Sequence, residues 1–165
     1  MPLSATPGWE TFFAAQVGAA ATLAGLVFVG VSINLSKIVQ SGHLPNRALE
    51  AIAILALNLL IGLACLIPGQ GAPVLGAEVL GGGLVVWALL SRLHLQTARR
   101  IERAFRSQGL LAALQGQLYA LAICAAGVVI AWKGAIGAYV LTPPLLFGFY
   151  VALLNAWVLT IEINR

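Results

Sequence analysis

The fold of this chain is decided by one stretch, Arg92-Leu-His-Leu-Gln-Thr-Ala-Arg-Arg-Ile-Glu-Arg-Ala-Phe-Arg106. It holds five of the nine lysine and arginine residues, and long apolar segments lie on both sides of it. Lysine and arginine residues next to a membrane span are retained on the cytoplasmic side. The stretch therefore predicts a cytoplasmic loop that sets the direction of every other span.

The composition of the chain differs strongly from that of soluble proteins. Of its 165 residues, 61% are hydrophobic and 8% are charged, whereas about a quarter of the residues in soluble domains are charged. The net charge of +4 does not indicate a nucleic-acid partner, because the basic residues cluster at the ends of apolar segments instead of forming an exposed basic face. The composition predicts an integral membrane protein.

Five windows are apolar enough and long enough, at about 20 residues, to cross a membrane as helices. We therefore predict an all-α transmembrane helical bundle of five spans, with residues 1–165 forming a single integral membrane domain. The spans are expected at about 9–38, 46–67, 73–94, 110–132 and 142–162, with a cytoplasmic helical extension at about 95–108.

Two of these boundaries depend on residues that favour the start or the end of a helix. Gly109 is expected to break the helix that continues through the basic stretch. Thr142 can cap a helix, and prolines such as those of Pro143-Pro144 suit a first helical turn, so the fifth span is expected to begin there. The proline pair leaves open a second interpretation, in which the fifth segment is broken or re-entrant.

The distribution of positive charge predicts the direction of the chain. With the basic stretch in the cytoplasm, eight of the nine lysine and arginine residues lie inside, and Lys133 alone lies outside. The N-terminus is then expected outside the membrane and the C-terminus in the cytoplasm.

Small residues concentrate in the first and third spans. A stripe at helical spacing in the first span is formed by Gly18, Ala21, Thr22, Gly25, Ser32 and Ser36. Such a stripe permits close packing between helices in lipid, and it also leaves room for water where a helix lines a pore. In the third span, Gly76 and Gly81–Gly83 each weaken the helix by about 1 kcal/mol relative to alanine. We expect a neighbouring helix, the first span, to approach them closely, and a hinge at these glycines is the alternative.

Glu78 is the single residue that we regard as most informative. An ionisable group inside a membrane span indicates a functional site, because burying it costs on the order of several kcal/mol unless it is paired or hydrated. If Glu78 is buried, we expect it to face a water-filled vestibule or Lys133. In the alternative interpretation the third span lies further outward, and Glu78 sits among the lipid headgroups.

Several uncharged polar residues lie deeper in the predicted spans. Amide side chains cannot face hydrocarbon without a partner, so they either form hydrogen bonds between helices or line a polar path. The candidate polar path comprises Thr22, Ser32, Asn34, Asn58, Glu78, Gln115, Gln117 and Asn155.

The basic stretch is also expected to bind lipid. Long basic side chains extend toward the membrane surface and pair there with anionic headgroups. The predicted headgroup ligands are Arg92, Arg99, Arg100, Arg103 and Arg106. A protein partner for the same helical face is the alternative.

No pattern in the sequence predicts an enzyme, a cofactor or a metal site. The chain has no aspartate, and His43 and His94 lie near the predicted cytoplasmic edge without a nucleophile at a recognised spacing. The phosphate-binding and hydrolase motifs are missing. Cys65 and Cys124 lie in apolar segments without a CxxC spacing, so we expect both to be small buried residues.

Three segments carry a resemblance to known proteins. They are Val17-Gly-Ala-Ala-Ala-Thr-Leu-Ala-Gly-Leu-Val-Phe-Val-Gly-Val-Ser-Ile-Asn34, Leu44-Pro45 and Leu66-Ile-Pro-Gly-Gln70. Mainly over the first two spans, the chain resembles a group of small, uncharacterised bacterial polytopic membrane proteins. The resemblance implies a location in the bacterial plasma membrane and assigns no functional residues.

Two hypotheses of function follow from these observations. The first is a homo-oligomeric channel or passive transporter, which the small-residue stripe and the deep amides favour. The second is an accessory or regulatory protein that binds another membrane complex and transports nothing. Inverted repeats are not evident in the sequence, which disfavours secondary active transport.

Overall fold

The structure is a computed structural model that describes residues 6–41, 44–100 and 106–160, without the side chains at 99–100 and 106–108. The described residues form helices and no strands, which confirms the all-α class. The helices are α1 (Glu10–Ile33), α2 (Leu35–Gln40), α3 (Leu44–Cys65), α4 (Ala72–Arg100), α5 (Arg106–Lys133) and α6 (Ile136–Thr160).

Five helices of the described chain are long and apolar enough to cross a membrane, and they are α1, α3, Ala72–Ala98 of α4, Gly109–Lys133 of α5, and α6. Successive spans along the chain run in opposite directions, as the hydrogen bond from Thr6, just before α1, to the carbonyl oxygen of Cys65 at the end of α3 illustrates. We call the end at which α4 ends and α5 begins the arginine end. The opposite end, which carries Lys133, is the lysine end.

The spans form a closed arrangement around α3. This helix packs against α1, α4 and α6, while α5 packs between α4 and α6. Large apolar side chains also cover the outside of the bundle, where they suit lipid, as at Leu60, Val85 and Leu118. The largest fully buried side chains of the core are Phe13, Ile54, Leu55, Leu75, Leu90, Tyr119, Ile123, Ile130, Leu141, Leu145 and Leu159.

Of the glycines of α4, Gly76 and Gly83 pack against α5 and Gly82 packs against α3, so the expectation that they pack against the first span is wrong. A Cβ atom at Gly76 would lie 2.7 Å from the carbonyl oxygen of Gly127, and one at Gly83 would lie 2.8 Å from Cys124 Sγ. No larger side chain fits between backbones that lie this close together. The glycines therefore allow the tight packing that holds helices together in lipid.

The first predicted window is divided between two helices. α1 ends at Ile33, and Asn34, with φ −103° and ψ 14°, separates it from α2. The side chain of Asn34 donates a hydrogen bond from Nδ2 to the carbonyl oxygen of Gly30 at 3.1 Å. Asparagine side chains compete with the backbone in this way, which explains an interruption at this residue.

The last helix begins earlier than the sequence indicated. α6 starts at Ile136, after a turn in which Gly134 adopts a φ of +58°, and the expected start at Thr142 is therefore corrected. Thr142 does not cap a helix, because its Oγ1 donates to the carbonyl oxygen of Ala138 at 2.9 Å. Pro143-Pro144 lies inside one continuous helix, which lipid tolerates when side chains and neighbouring helices satisfy the backbone.

The helices divide the basic stretch at a different place from the one predicted. α4 continues to Arg100, and residues 101–105 of the expected extension lie outside the described part of the chain. α5 begins at Arg106, so Gly109 lies inside this helix and the expected break at Gly109 is wrong. A single glycine in a helix costs about 1 kcal/mol, which is too little to end a helix of this length.

Candidate functional site

The predicted polar-path residues Thr22 and Ser32 lie on the outer surface of α1. Their hydroxyl groups donate hydrogen bonds of 2.8 Å to the carbonyl oxygens of Gly18 and Phe28, four residues earlier in the same helix. These bonds satisfy both hydroxyl groups within α1. Thr22 and Ser32 are exposed, so they do not meet the buried amides inside the bundle.

Glu78 is also exposed, near the lysine end of α4. Its Oε2 accepts a 2.7 Å hydrogen bond from Nε2 of Gln70, which lies in the short connection before α4. Among the described residues, no ion pair joins Glu78 to Lys133. The expected pairing with Lys133 is therefore not formed among these residues, whereas the depth of Glu78 in the membrane, on which the two alternatives differ, stays a prediction.

Asn58 is the centre of the buried polar contacts in the middle of the bundle. Its Nδ2 donates to the carbonyl oxygen of Leu145 at 3.1 Å, and its Oδ1 accepts a 2.8 Å bond from the Tyr119 hydroxyl. Its backbone oxygen accepts a 2.8 Å bond from Nε2 of Gln16. These bonds join α1, α3, α5 and α6, so Asn58 serves as the interhelical link that one of the two interpretations predicted.

Three polar pairs join α4 to α3 and α5 at the arginine end. We call them the polar cluster, which consists of Asn46–Thr97, Glu50–His94 and Gln117–Ser91. The members on α4 are three residues apart and therefore lie on one face of that helix. Gln117 is the only predicted polar-path residue in this cluster, since Gln115 lies half-buried elsewhere on α5 and Asn155 is buried on α6.

The Glu50–His94 pair is buried within the bundle, in the helical turns near the arginine end. Glu50 is 3% exposed, and it lies six residues after the start of α3, which at a helical rise of 1.5 Å is about 9 Å along the helix. His94 Nε2 lies 3.4 Å from Glu50 Oε1. The pair therefore places a carboxyl group and an imidazole within ion-pair distance, away from bulk water.

Gly116 of α5 has no side chain, and the Glu50–His94 pair occupies the space that a side chain there would fill. A Cβ atom at Gly116 would lie 2.8 Å from Glu50 Oε1 and 2.9 Å from His94 Cε1. Any larger residue would displace one of the two groups. The backbone of α5 thus closes the third side of the pair, while α3 and α4 supply its side chains.

The polar atoms of the pair are not fully satisfied. Glu50 Oε1 and both ring nitrogens of His94 are buried without a hydrogen-bond partner among the described residues. A charge-assisted bond between nitrogen and oxygen has a length of about 2.8 Å, whereas the closest approach here is 3.4 Å. The two groups are neighbours without a directed hydrogen bond between them.

The sequence analysis missed Glu50 and assigned His94 no role. The rule that singled out Glu78, that an ionisable residue inside a span indicates function, applies equally to Glu50. Glu50 is the only acidic residue of α3, and it is followed by apolar turns up to Asn58. The signal was therefore present in the sequence, whereas the partner of Glu50 could be known only from the packing of α3 against α4.

The described structure leaves the predicted lipid ligands largely untested. Arg92 is exposed on α4. Arg99 and Arg100 lie at the end of α4 and Arg106 begins α5, but their side chains are not described, and Arg103 lies outside the described residues. Headgroup binding by these arginines stays a prediction.

The described residues offer no metal centre, since no group of three or more histidine, cysteine, aspartate or glutamate side chains comes together among them. Cys65 and Cys124 are both buried and unpaired. Between α1 and α6 lies an apolar cleft of about 210 Å³, lined by Leu26, Val27 and Ala156 among others. Its lining suits a hydrocarbon chain better than a polar ligand.

The fold and the site together define the class of this molecule, an all-helical chain whose five long apolar helices are those of a multi-pass membrane protein. The chain matches no family model, no curated protein and no solved structure. Its function is therefore inferred from its own residues.

Proposed function

We propose that this chain is a multi-pass protein of the bacterial plasma membrane that forms a homo-oligomeric channel or passive transporter. In this proposal, copies of α1 line the route, and the arginine end faces the cytoplasm. The arginines of the basic stretch bind anionic headgroups there. The proposed activity needs no catalytic step and no cofactor.

The observation that carries the proposal is the exposed small-residue stripe of α1. The members of the stripe in α1 are all exposed in the single chain: Gly18, Ala21, Thr22, Gly25 and Ser32. Ser36, the last predicted member, is also exposed but lies on α2. Of the five spans, α1 also buries the smallest share of its residues. A helix with so little covered surface has its stripe available for copies of the same chain.

The chemistry of this surface differs from that of the other spans. From Thr11 to Gly25, every exposed residue of α1 is glycine, alanine or threonine, whereas the second half of α1 and the other spans expose large apolar residues such as Phe28, Leu60 and Leu118. Small side chains allow helices to approach closely in lipid, and hydroxyl groups offer hydrogen bonds to water. Both properties support a helix that lies at a subunit contact and beside a wet route.

The proposed orientation follows the distribution of charge. Five basic residues lie between Arg92 and Arg106 at the arginine end, and Lys133 lies at the lysine end. Lysine and arginine near membrane spans are retained in the cytoplasm. Aromatic side chains such as Trp9, Tyr139 and Trp132 gather at the lysine end, where they suit the outer membrane interface.

An accessory or regulatory role is the second candidate, and one observation favours it. The deep amides Asn58 and Gln16 bond to other groups of the same chain, as in a bundle whose interior serves only packing. In that case the α1 stripe would contact a helix of another membrane protein, and no solute would cross.

Thiol accessibility separates the two candidates. Cys65 and Cys124 are replaced by alanine, and single cysteines are introduced as Thr22→Cys, Ser32→Cys and Leu121→Cys. Leu121 is exposed on α5 and, like Thr22, lies about 18 Å from the lysine end of its helix at a rise of 1.5 Å per residue. It is therefore a lipid-facing control at matched depth.

The channel proposal expects water-soluble thiol reagents to modify the cysteines at positions 22 and 32 and to spare that at position 121. It also expects a symmetric homo-oligomer when the molecular mass of the purified protein is measured in mild detergent. Equal protection of all three cysteines would remove the channel proposal. A monomer that co-purifies with a second membrane protein would support the accessory role instead.

A further inference from the structure

We propose that Glu50 and His94 form a proton-binding site inside the bundle, reached from the arginine end. The site goes beyond the proposed channel and does not depend on it, because all of its parts lie within one chain. It rests on the burial of two titratable groups, on their separation and on the glycine that makes their space.

The first step is the charge of the pair. Glu50 is 3% exposed and carries a negative charge when it has lost its proton. Burying a lone charge in an apolar interior costs on the order of several kcal/mol of free energy, even after the protein relaxes. With a neutral imidazole beside it, the pair has a net charge of −1, and nothing within 4 Å neutralises it in the described part of the chain.

The second step is what one proton does to this arrangement. Binding of one proton converts carboxylate and imidazole into carboxylate and imidazolium, so the net charge becomes zero. The new N–H group of His94 can then donate to Glu50, which a closing of about 0.5 Å would allow. A second proton would restore a net charge, now +1. The buried pair is therefore suited to hold one added proton and not two.

The third step is the route of the proton. The side chain of His94 is 14% exposed, through its carbon atoms because both ring nitrogens are buried, and that of Glu50 is 4% exposed, so the imidazole lies closer to the surface than the carboxyl group. Asn46 and Thr97 bond to each other about one helical turn closer to the arginine end. Their polar side chains give water a place to bind between that end and His94.

Other charged groups near this region do not neutralise the pair. Among the described side chains, the other basic or titratable groups in the halves of the packed helices nearer the arginine end are Lys37 on α2, Arg47 on α3, Arg92 on α4, Tyr119 on α5 and Tyr150 on α6. None of them lies within ion-pair distance of Glu50 in the part of the chain that the structure describes. Tyr119 instead donates its hydroxyl to Asn58.

A metal ion fits the site less well than a proton. Glu50 and His94 supply two ligands, whereas protein zinc sites use three or four protein ligands. No third histidine, cysteine or acidic side chain joins them among the described residues. The proton is therefore the ligand that these two groups can hold by themselves.

The proton can be observed directly on the full-length protein in lipid nanodiscs. A His43→Gln background leaves His94 as the only histidine of the chain, and nitrogen NMR of its ring is followed from about pH 9 to about pH 4. Infrared difference spectra over the same range follow the carboxyl groups. Glu50→Gln removes the proposed partner, and Glu78→Gln makes the same substitution at an exposed glutamate near the lysine end.

We expect Glu50→Gln to remove one pH-dependent carboxyl band and to change the proton affinity of His94 by about tenfold or more, because a proton shared between the two groups makes the affinity of each depend on the other. Glu78→Gln should leave the His94 affinity unchanged. The proposal is overturned if the His94 response is the same in both variants. Neither result depends on how many chains assemble, so this test and the thiol test can fail separately.

A second pair of variants tests the geometry while both titratable groups remain. Gly116→Ala places a Cβ atom against Glu50 and His94, whereas Gly81→Ala places one where nothing lies within 4 Å. We expect Gly116→Ala to alter the His94 proton affinity by at least about threefold, since the pair must move apart. Gly81→Ala should not alter it. Equal responses in these two variants would contradict the site even if Glu50→Gln failed to fold.

Discussion

Tyr119 of α5 donates a 2.8 Å hydrogen bond to Oδ1 of Asn58 on α3, at a point where neither residue is exposed. The same hydroxyl lies 3.4 Å from the carbonyl oxygen of Ile54. Gly148 of α6 allows this contact, because a Cβ atom there would stand 3.0 Å from Asn58 Nδ2. One amide thus fixes the relative positions of three spans.

The first prediction concerns this hydrogen bond. Tyr119→Phe keeps the ring and leaves Asn58 Oδ1 without its donor. We expect the free energy of unfolding to fall by about 1 kcal/mol, a usual value for such a bond between membrane helices. Unfolding by a denaturing detergent in mixed micelles measures the change.

Tyr150→Phe is the matched control, because Tyr150 is exposed on α6. It should change the free energy of unfolding by less than about 0.5 kcal/mol. If both variants unfold alike, the Tyr119–Asn58 bond does not stabilise the bundle.

The second prediction concerns the contact between α4 and α5. A Cβ atom at Gly127 would lie 2.6 Å from the backbone nitrogen of Leu80 and 2.9 Å from the carbonyl oxygen of Gly76. Gly127→Ala must therefore push the helices apart, and we expect a loss of about 1–3 kcal/mol in the same unfolding assay.

Gly81→Ala provides the comparison, because the added methyl group meets nothing within 4 Å. Alanine favours the helix over glycine by about 1 kcal/mol, so this variant should be neutral or more stable. If Gly127→Ala and Gly81→Ala lower the free energy of unfolding equally, the close approach of the two backbones at Gly127 does not stabilise the bundle.

The helical class and the spans were accessible from the sequence because they depend on the length of apolar segments alone. The start of α6 was not, since Thr142 and Pro143-Pro144 suit a helix start as well as they suit the interior of a membrane helix. The actual start depends on the turn at Gly134, where the chain reverses between α5 and α6. Likewise, the glycine run does not say which helix its members contact, since Gly82 faces α3, Gly83 faces α5 and nothing lies within 4 Å of a Cβ atom at Gly81.

The candidate site was predicted only in part for a similar reason. Gln117 was singled out, and the structure gives it a partner in Ser91. Glu78 was also singled out, but it lies exposed beside Gln70, while the buried carboxylate is Glu50. Sequence shows that a carboxylate lies in a span, whereas its depth and partner depend on how the helices are rotated about their axes.

The third prediction tests the direction of the chain in the membrane. In intact cells, a cysteine introduced as Lys133→Cys should react with a membrane-impermeant thiol reagent, whereas one introduced as Ser107→Cys should react only after the cells are opened. The loss of Lys133 does not weaken the charge bias, because this residue is the basic group expected outside. The unmodified chain is the control, since Cys65 and Cys124 are buried. The reverse labelling pattern would show that the arginine end faces outward.

The last prediction separates the energy of the Glu50–His94 pair from that of its surroundings. His94→Leu leaves the carboxyl group of Glu50 buried without its partner, and we expect the free energy of unfolding at neutral pH to fall by about 3 kcal/mol. Adding Glu50→Leu removes the unpaired group as well. Because apolar residues of similar volume often replace a buried pair without loss, the double variant should lie within about 1 kcal/mol of the unchanged protein.

A double-mutant cycle on these variants, measured by detergent unfolding, gives the coupling between the two residues. Rescue of His94→Leu by Glu50→Leu would mean that the cost of the single change comes from an orphaned carboxyl group and not from lost packing of the imidazole. If the double variant is instead as unstable as the sum of the single changes, the two groups act independently. Such independence would remove the physical basis for a shared proton, since a proton is shared only between groups whose energies depend on each other.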